Sequence, residues 1–509
     1  MLLANSAQIR EADRIQIEEK GLPGVVLMES AGRQAALRLM SLYPGRQEVL
    51  ILAGPGNNGG DGLVMARYLH LAGRRVQVLL SHDADRYQGD ALLNYRLLRQ
   101  LPVPVGLYSR QEAESCLGQF AGQPLLVDAL LGTGIQSALR PPISEIIEFF
   151  RQRQLECIAI DLPSGLNADT GEVMNDVIPA RHTFTFQLPK ICHYLTPAAN
   201  ACGQIHTFDI GIWPQVVEQL GIKRRLVTDE FVRAHPPKRP SDAHKGHFGH
   251  VLVIGGSRQF AGAPAMAAFA CVHAGAGLCT AAVPAGCSAP CYQLCPEVMC
   301  AEVGAEGHFT LGAIEQLLPL MEGKSAVVLG PGLGTHPETA DFFAQLIPHI
   351  SLPLILDADG LNLLARQPGL WKHLPSPAIL TPHPGEMARL CQVERITHRR
   401  LEYAESLAKE RQVVVVLKGA GTLTALPDGN TFVNTSGNPG MATGGSGDVL
   451  TGIIAALLGQ GYAPAVAAPM GVYLHGKTGD AVAAVKGQPG LTATDIGRAL
   501  GQVWLELLK

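Results

Sequence analysis

The glycine-rich stretch over residues 438–452 is the part of this sequence best suited to chemistry. It contains five glycines and one carboxylate, Asp448, and it leads into an apolar, helix-like run over residues 449–458. Glycines let backbone N–H groups converge on one point, and a helix N-terminus adds partial positive charge, so the loop can bind a phosphoryl group. A carboxylate would repel that group. We therefore predict that Asp448 is a general base acting on a substrate hydroxyl, while the amides of residues 445–447 hold the phosphoryl group; the alternative is that Asp448 only caps the helix.

Other segments of the second half follow apolar runs typical of buried strands. They are the turn at residues 330–334, the acidic segment 356–362, the segment 381–386 and the segment 417–422. His383 and Glu386 are expected on a loop shaped by two prolines, and Lys418 can place an ammonium group beside nucleotide phosphates. We predict Glu386 as an indirect Mg²⁺ ligand, through water, on its chemistry alone. The second half therefore predicts a phosphoryl-transfer site.

The first half carries a different glycine-rich turn, GPGNNGGDG at residues 54–62, between a strand-like run and a helix-like run over residues 63–71. It matches neither GxGxxG nor the lysine-bearing P-loop, so neither an ordinary dinucleotide dehydrogenase nor a P-loop NTPase is indicated. Asp128 and Asp161 end two further strand-like runs. Amide and carboxylate oxygens at neighbouring strand ends suit a hard cation, and one carboxylate can serve in proton transfer.

Composition excludes several classes of protein. The chain has 509 residues, a net charge of -4 and no long basic run, so no nucleic-acid partner is expected. No apolar run approaches about 18 residues, so we expect no membrane partner and a cytoplasmic location. The four cysteines between residues 287 and 300 lack CxxC pairs, so packing is favoured over metal binding.

Both halves repeat one order of elements: an apolar strand, a glycine-rich turn and a helix. This order is typical of parallel α/β sheets with ligands at the strand carboxyl ends. The charged, proline-bearing segment 215–240 separates the halves, and we predict domains at 1–222 and 223–509. Segments 422–426 and 431–434 flank a Pro-Asp-Gly-Asn turn and predict a hairpin.

Together these motifs resemble a known family. Segments 383–386, 418–422 and 438–448 are similar to the ribokinase-like NAD(P)H-hydrate dehydratases, whereas segments 57–61, 128–134 and 161–164 are similar to the NAD(P)H-hydrate epimerases. Their order resembles the bifunctional nicotinamide-nucleotide repair enzymes of bacteria. The resemblance implies an α/β protein of two three-layer αβα domains, an N-terminal Rossmann-like epimerase domain and a C-terminal ribokinase-like domain.

The implied reaction repairs NADH and NADPH that have hydrated at the nicotinamide ring. The epimerase interconverts the R and S hydrates. The dehydratase phosphorylates the hydroxyl of the S form with ADP, giving AMP, and phosphate then leaves as the double bond returns. The resemblance further implies K⁺ for the epimerase. We also expect Mg²⁺ for the dehydratase and a homo-oligomer, and ADP is favoured over ATP by the fused arrangement.

The same resemblance implies specific contacts. Asp161 is the candidate proton-transfer group of the epimerase, and Asn58, Asp128 and Ser164 would hold K⁺. The epimerase substrate would contact Asn57, Asn58, Gly59, Gly60, Asp61, Gly132, Thr133, Gly134, Ile135, Gln136, Ser137, Ala138 and Asp161. The dehydratase substrate would contact Ala263, Gly334, His383 and Asp448, and the nucleotide would contact Lys418, Gly419, Ala420, Gly421, Thr422 and Gly447.

Two rival functions remain open at this level. The first is a kinase for a small hydroxylated vitamin precursor or sugar, which would use the same Asp448 loop and release a stable phosphorylated product. It leaves the first half unexplained. The second makes the first half a nucleotide-sensing module, because that half has no clear nucleophile.

Overall fold

The computed structural model describes residues 1–509, which form two compact units. The first unit spans Leu2–Lys223, and the second comprises Arg224–Lys509 together with Met1. No helix combines the length and apolar character needed to cross a bilayer.

The first unit is built on a seven-stranded parallel sheet with the strand order β3-β2-β1-β4-β5-β6-β7. Because β1 has β2 on one side and β4 on the other, the chain changes direction across the sheet at β1. Ligands of such sheets bind at the carboxyl ends of the strands beside this point. The strands are β1 (Glu48–Ala53), β2 (Arg75–Leu80), β3 (Val105–Leu107), β4 (Leu125–Ala129), β5 (Cys157–Ile160), β6 (His182–Phe186) and β7 (Gln204–Phe208). The helices are α1 (Ser6–Arg14), α2 (Gly24–Leu42), α3 (Asn57–Leu71), α4 (Gly89–Leu98), α5 (Arg110–Gly118), α6 (Ile143–Gln152), α7 (Ala199–Cys202) and α8 (Pro214–Gln219).

Helices cover both faces of this sheet. Val49 and Ile51 of β1 pack in one core with residues of α2, α3 and α4. Leu50 and Leu52 of the same strand pack in a second core with residues of α5 and α6. Since successive strand residues point to opposite faces, the unit has three layers.

The second unit contains a ten-stranded sheet with the order β11-β10-β9-β12-β13-β14-β15-β16-β17-β8. The β15–β16 and β16–β17 pairs are antiparallel, and the other pairs are parallel. The strands are β8 (Arg224–Leu226), β9 (His250–Ile254), β10 (Leu278–Ala285), β11 (Met299–Glu306), β12 (Ala326–Leu329), β13 (Leu354–Leu356), β14 (Ile379–Leu380), β15 (Val414–Leu417), β16 (Thr422–Ala425) and β17 (Thr431–Asn434). The helices are α9 (Asp229–Arg233), α10 (Gly262–His273), α11 (Ala289–Leu294), α12 (Ala313–Met321), α13 (Pro337–Leu346), α14 (Asp359–Arg366), α15 (Pro384–Leu390), α16 (Arg400–Arg411), α17 (Ser446–Gly459), α18 (Pro464–Lys486) and α19 (Ala493–Leu507).

One face of the second sheet packs under α10, α17, α18 and α19. Val251 and Val253 of β9 lie in this core. Leu252 and Ile254 are fully buried on the opposite side of the strand. Cys287, Cys291 and Cys295 also lie in the α10 core as buried free thiols, which supports the packing role predicted for this cysteine-rich segment.

The predicted hairpin is confirmed, because β16 and β17 pair in antiparallel register. The helix starts were predicted too late. α3 begins at Asn57, and α17 begins at Ser446, so Asp448 lies in the first helical turn. The prediction that His383 and Glu386 lie on a loop is wrong for Glu386, which is inside α15, while His383 is the N-cap of that helix. All three helices, α3, α15 and α17, begin inside a motif that was predicted to be a loop. The first turn of a helix tolerates the glycines and prolines of these motifs.

Tight helix packing gives a stability prediction. A Cβ atom at Gly452 of α17 would lie 2.1 Å from the Ala267 carbonyl oxygen of α10, whereas a Cβ at Gly501 of α19 would meet nothing. Gly452→Ala should therefore destabilise the protein by about 1–3 kcal/mol. Gly501→Ala should be neutral or stabilising by about 0.5–1 kcal/mol. Scanning calorimetry of both variants measures the difference, and equal transition temperatures would contradict the close α10–α17 approach.

Candidate active sites

The turns after β1 and β4 pack against each other without room for side chains. A Cβ at Gly54 would lie 1.8 Å from the Leu130 carbonyl oxygen, and one at Gly59 would lie 1.7 Å from the Gly54 carbonyl oxygen. Gly59 and Gly60 are buried, whereas Asn57 is exposed at the start of α3. Glycine is therefore required here for the backbones to meet, and the turn presents its Asn-Asn pair at the carboxyl edge of the sheet.

A buried polar pocket lies beside this turn. The Ser164 hydroxyl donates to one oxygen of Asp128 (2.6 Å), and the Ser164 amide donates to the other (2.8 Å). Asp128 is fully buried, which raises its pKa, although the Ser164 hydrogen bonds act in the opposite direction. The Asn58 amide group is also buried, and neither its oxygen nor its nitrogen has a hydrogen-bond partner. An orphaned amide oxygen, a carboxylate and a hydroxyl are donors that fit a hard monovalent cation.

Asp161 directly follows β5 and takes a left-handed backbone conformation, with φ of 65°. Its Oδ1 atom accepts from the Thr185 hydroxyl (3.2 Å) and from the ammonium group of Lys190 (2.5 Å). Its Oδ2 atom lies near Gly132, where a Cβ would be 3.3 Å away. The same Cβ would be 3.5 Å from that of Asn58, so the turn after β4 lies between the cation pocket and Asp161.

The predicted substrate loop after β4 is mostly exposed. Gly134 and residues 136–138 are exposed, whereas Ile135 is buried. The Thr133 carbonyl accepts a hydrogen bond from the Ser6 hydroxyl (3.1 Å). Asp61, in the first turn of α3, has a pKa raised well above its usual range by burial and by the charge of Asp161. The structure therefore gathers the residues predicted for the first site at one edge of the sheet.

In the second unit, the predicted base stands at the start of a buried helix. Gly445 is the N-cap of α17 with φ of 88°, and a Cβ there would lie 2.3 Å from the Met266 sulfur. Asp448 is the third residue of α17. A Cβ at Gly447 would lie 3.3 Å from the Lys418 ammonium nitrogen, so the glycine loop meets the end of β15. This geometry allows the helix N-terminus to face an anion.

The Lys418 ammonium group is the centre of an acidic cluster. It lies 2.8 Å from one carboxylate oxygen of Asp357 and 3.9 Å from the Glu386 carboxylate. The other oxygen of Asp357 accepts from the Thr451 hydroxyl of α17 (2.7 Å). Asp357 is 1% exposed, so its charge is balanced within the protein.

Burial controls proton affinity at this site. Burial raises the pKa of Asp448 to about 8; the charge of Asp357 adds to the rise, while Lys418 opposes it. Burial likewise raises the pKa of Glu386 to about 7. A carboxyl group titrating near neutral pH is suited to general acid–base chemistry.

His383 and Glu386 form a reciprocal capping box. The Glu386 carboxylate accepts from the His383 amide (2.7 Å), and His383 Nδ1 accepts from the Gly385 amide (3.0 Å). The side chain of His383 is 52% exposed, and its Nε2 atom lies 3.4 Å from the Glu386 carboxylate. The capping box fixes both side chains at the amino end of α15.

The remaining predicted contacts surround the same sheet edge. Ala263 lies in α10 beside the turn after β12, where a Cβ at Gly332 would be 3.0 Å from the Ala263 Cβ. The Gly334 amide donates to Asp359 (2.8 Å), whose charge also contributes to the raised pKa of Asp448.

The predicted nucleotide loop, residues 418–422, joins β15 to β16. The Lys418 amide donates to the Pro382 carbonyl (2.9 Å), and the Thr422 hydroxyl donates to the Gly419 carbonyl (2.8 Å). Gly419 and Gly421 have positive φ, and the Ala420 carbonyl accepts from Arg400 (2.7 Å). These contacts hold the loop beside the Lys418 cluster.

Two family models match the chain, one on each unit. The model described as NAD(P)H-hydrate dehydratase matches residues 251–502. The model described as YjeF-related protein N-terminus matches residues 24–192.

Curated relatives match over nearly the whole chain. The bifunctional NAD(P)H-hydrate repair enzyme of Moorella thermoacetica is 40% identical over 507 residues, covering 97% of this chain and 95% of that protein. The chain belongs to the family of bifunctional NAD(P)H-hydrate repair enzymes. The repair enzyme of Escherichia coli is 36% identical over 505 residues, covering 97% of this chain and 92% of that protein.

A solved structure supports the ribokinase-like fold expected of the repair-enzyme family. The ADP/ATP-dependent NAD(P)H-hydrate dehydratase from Bacillus subtilis, co-crystallised with ATP and Mg²⁺, is 31% identical with a TM-score of 0.50. The match covers 56% of this chain and 98% of the Bacillus subtilis protein. The sequence-based assignment to a two-domain α/β repair enzyme is therefore confirmed.

Two lysine–aspartate pairs within these sites were not predicted. Lys418 was predicted to contact nucleotide phosphates but not to pair with Asp357, and Lys190 was not predicted beside Asp161. An aspartate at the end of a strand was the feature that predicted Asp128 and Asp161 as site residues. Asp357 directly follows β13, so the same feature could have predicted it. Lys190 had no comparable local signal, because it lies 29 residues from Asp161 in the chain.

The raised pKa of Asp448 predicts a pH-dependent loss of stability. Above the ordinary value of 3.8, unfolded chains release this proton, whereas the folded protein retains it up to about pH 8. Stability from this group therefore falls as pH rises through that interval. In metal-free protein near pH 8, Asp448→Asn should unfold about 2–6 °C above the wild type.

The difference between Asp448→Asn and the wild type should shrink towards pH 4. Calorimetry across this pH range, with exposed Asp341→Asn as control, tests the sign. A variant that is less stable than the wild type near pH 8 would contradict it.

Proposed function

We propose that residues 1–222 interconvert the R and S hydrates of NADH and NADPH, and that residues 223–509 dehydrate the S form with ADP, yielding AMP and phosphate. The observation that carries the second assignment is the position of Asp448, at the start of α17 beside Lys418. Hydroxide is a poor leaving group and phosphate a good one. The site therefore needs a base for the hydroxyl and an anion-binding loop for the phosphoryl group.

In this mechanism Asp448 takes the proton from the ring hydroxyl. The hydroxyl oxygen attacks the terminal phosphoryl group of ADP, and AMP leaves. The amides of residues 445–447 and the α17 N-terminus stabilise the charge on the transferring group. The phosphate then leaves with the C–O electron pair, and the neighbouring ring carbon releases a proton to solvent, which restores the ring double bond. The raised pKa of Asp448 suits this step because it makes the ionised carboxylate a stronger base than an ordinary aspartate.

Mg²⁺ fits the acidic side of this site. The carboxylates of Asp357, Asp359 and Glu386 all contribute to the pKa of Asp448, so they lie around it. We propose that Glu386 holds the ion through water, and that the ion neutralises phosphate charge when bound. Lys418 already balances Asp357, which leaves Glu386 and Asp359 for the ion.

The proposed dehydratase contacts are those predicted from the motifs. The hydrated nicotinamide would contact Ala263, Gly334, His383 and Asp448. ADP would lie against Gly447 and the loop over residues 418–422, whose fixed backbone supports this placement. The Bacillus subtilis relative is described as ADP/ATP-dependent, which supports a nucleotide donor of this type; ADP is our choice between the two.

The proposed epimerase site combines a cation with a proton-transfer carboxylate. K⁺ would be held by Asn58, Asp128 and Ser164, and the unpartnered Asn58 amide supports this placement. The substrate would contact residues 57–61 and 132–138 together with Asp161. A cytoplasmic location and a homo-oligomeric state stay predictions.

The function is tested by the return of reduced-nicotinamide absorbance when the protein meets an R/S mixture of hydrated NADH with Mg²⁺ and either ADP or ATP. Full recovery with ADP is expected. Asp448→Asn should slow dehydration by about 10²–10⁴-fold without changing R/S interconversion, because only the base is lost. The exposed Asp341→Asn should match the wild type.

Other results would revise the proposal. Recovery of only the S fraction would remove the epimerase assignment. Recovery with neither nucleotide, accompanied by phosphorylation of a small alcohol, would favour the vitamin-kinase alternative.

The cation site is tested by exchanging K⁺ for tetramethylammonium at constant ionic strength. R/S interconversion, followed by chromatography, should require K⁺. Asn58→Ala should raise the K⁺ concentration for half-maximal rate by about tenfold or more, because it removes one oxygen ligand. Asn200→Ala, an exposed change in the same unit, is the control. An unchanged rate without K⁺ would contradict the site.

A further inference from the structure

Four ionisable side chains meet beside the proposed epimerase substrate loop: Asp13, Asp61, Asp161 and Lys190. Asp13 and Asp61 both experience the charges of Asp161 and Lys190. Three carboxyl groups around one ammonium group cannot all be ionised cheaply in a buried pocket. The cluster must therefore hold at least one proton, which makes it a candidate acid–base device.

Lys190 has no free donor to give to a substrate. Its ammonium group donates to Asp161, to the Thr185 hydroxyl (2.8 Å) and to the Phe186 carbonyl (3.5 Å). The side chain is 1% exposed. With its three N–H groups engaged, Lys190 holds Asp161 in one orientation, and the second oxygen of Asp161 is left facing the Gly132 turn.

Asp13 reaches the cluster from the N-terminal helix α1. The start of that helix is tied to the substrate loop, because the Ser6 hydroxyl donates to the Thr133 carbonyl (3.1 Å) and the Ser6 amide donates to Asp169 (2.6 Å). No hydrogen bond reaches the Asp13 carboxyl group, in contrast to the two donors on Asp161. Asp13 also precedes the residues matched by the YjeF-related model, which begin at residue 24.

The two carboxyl groups differ in their environments. Burial raises the pKa of Asp13 to about 6; Lys190 opposes the rise, and the charge of Asp161 adds to it. The charged groups around Asp13 are Lys190 and Asp161 from the strand ends and Asp61 from α3. Two carboxyl groups in one site with different environments are a common arrangement for an acid and a base.

The substrate chemistry needs such a pair. Hydration of a dihydronicotinamide puts the hydroxyl on the carbon next to the ring nitrogen, because an enamine takes a proton at its β carbon and water at its α carbon. The product is a carbinolamine. Its configuration changes if the C–O bond breaks, leaving a planar iminium ion, and water then adds to the other face of the ring.

We propose that Asp13 is a second catalytic residue of the epimerase and that Lys190 is a positioning residue for Asp161. This inference rests on the epimerase function proposed above. The Asp13 carboxylic acid gives its proton to the departing hydroxyl, which leaves as water while the nitrogen lone pair forms the C=N bond. A water molecule adds to the opposite face, its proton passes to the Asp161 carboxylate, and the C=N electron pair returns to nitrogen.

One turnover therefore moves a proton from Asp13 to Asp161. The reverse reaction, or exchange with solvent, resets the pair, so no further reactant is consumed. Burial raises the pKa of Asp61, and the charges of Asp161 and Asp13 add to the rise, so Asp61 lies near both groups.

The first test measures R/S interconversion by chromatography in Asp13→Asn and in a matched control, Glu11→Gln. Glu11 is exposed on the same helix. Asp13→Asn should lower the epimerisation rate by about 10²–10⁴-fold, and Glu11→Gln should not change it. Both variants must keep the wild-type circular-dichroism spectrum and thermal transitions, because dehydration of the S hydrate reports only on the fold of the second unit.

The pH profile separates a proton donor from a structural role. In the wild type, kcat/KM for epimerisation, corrected for the spontaneous reaction, should fall as pH rises above about 6, because the acid form of Asp13 is required. Asp13→Asn should lose this descending limb. A descending limb that persists in Asp13→Asn, or an unchanged rate, would overturn the assignment of Asp13.

Labelled water tests the bond that breaks. In water enriched in oxygen-18, epimerisation by the wild type should place the label on the ring hydroxyl of the newly formed epimer. Inversion without label would exclude C–O cleavage and overturn the proposed step.

Lys190 is tested by comparing Lys190→Met with Lys190→Arg. Lys190→Met should lower kcat for epimerisation at least about tenfold with little change in KM, because Lys190 positions a base and does not contact substrate. Lys190→Arg, which keeps the charge and the donors, should restore part of the rate. Equal rates in the methionine variant and the wild type would overturn the positioning role. A wild-type protein that does not epimerise at all would instead remove the proposed epimerase function.

Discussion

Both candidate sites depend on the cost of burying carboxylates at the carboxyl edge of a parallel sheet. An isolated buried carboxylate is strongly unfavourable, and it is tolerated only with a cation, with hydrogen bonds or in its protonated form. The structure uses all three. Lys190 balances Asp161, and Lys418 balances Asp357. Ser164 supplies hydrogen bonds to Asp128.

The carboxyl groups left without a full partner have a raised proton affinity. Asp448 and Asp13 have raised pKa values because burial is not fully offset by the nearby lysine. A lysine that is already paired with one carboxylate still lowers the pKa of a neighbouring carboxyl group, but not enough to cancel the rise caused by burial. The buried pairs therefore set the proton affinity of their neighbours, and this is how a stable scaffold can contain groups that titrate near neutral pH.

Close backbone packing brings these groups together. Gly54 and Gly59 let the turns after β1 and β4 meet, while Gly445 and Gly452 let α17 approach α10. A side chain at these positions would separate the loops and move the charged groups apart. The glycines therefore maintain the electrostatic arrangement as well as the shape of the backbone.

Local sequence patterns predicted much of the fold. The apolar runs of β1, β4, β5 and β12 were evident, because buried parallel strands read as continuous hydrophobic segments. β10 and β11 were not recognised, since alanine, cysteine and proline dilute the signal over residues 278–306. The helix starts at Asn57 and Ser446 were placed too late because their first turns contain glycines.

The sequence by itself determined which residues end the strands and therefore which side chains reach the carboxyl edge of each sheet. That information is local, since a strand and its following turn are a few residues long. Only the tertiary structure decided the pairs: Lys190 with Asp161 across 29 residues, Lys418 with Asp357 across 61, and Thr451 with Asp357 across 94. These pairs depend on strand order and helix packing, which bring together groups that are distant along the chain and whose spacing follows no local period.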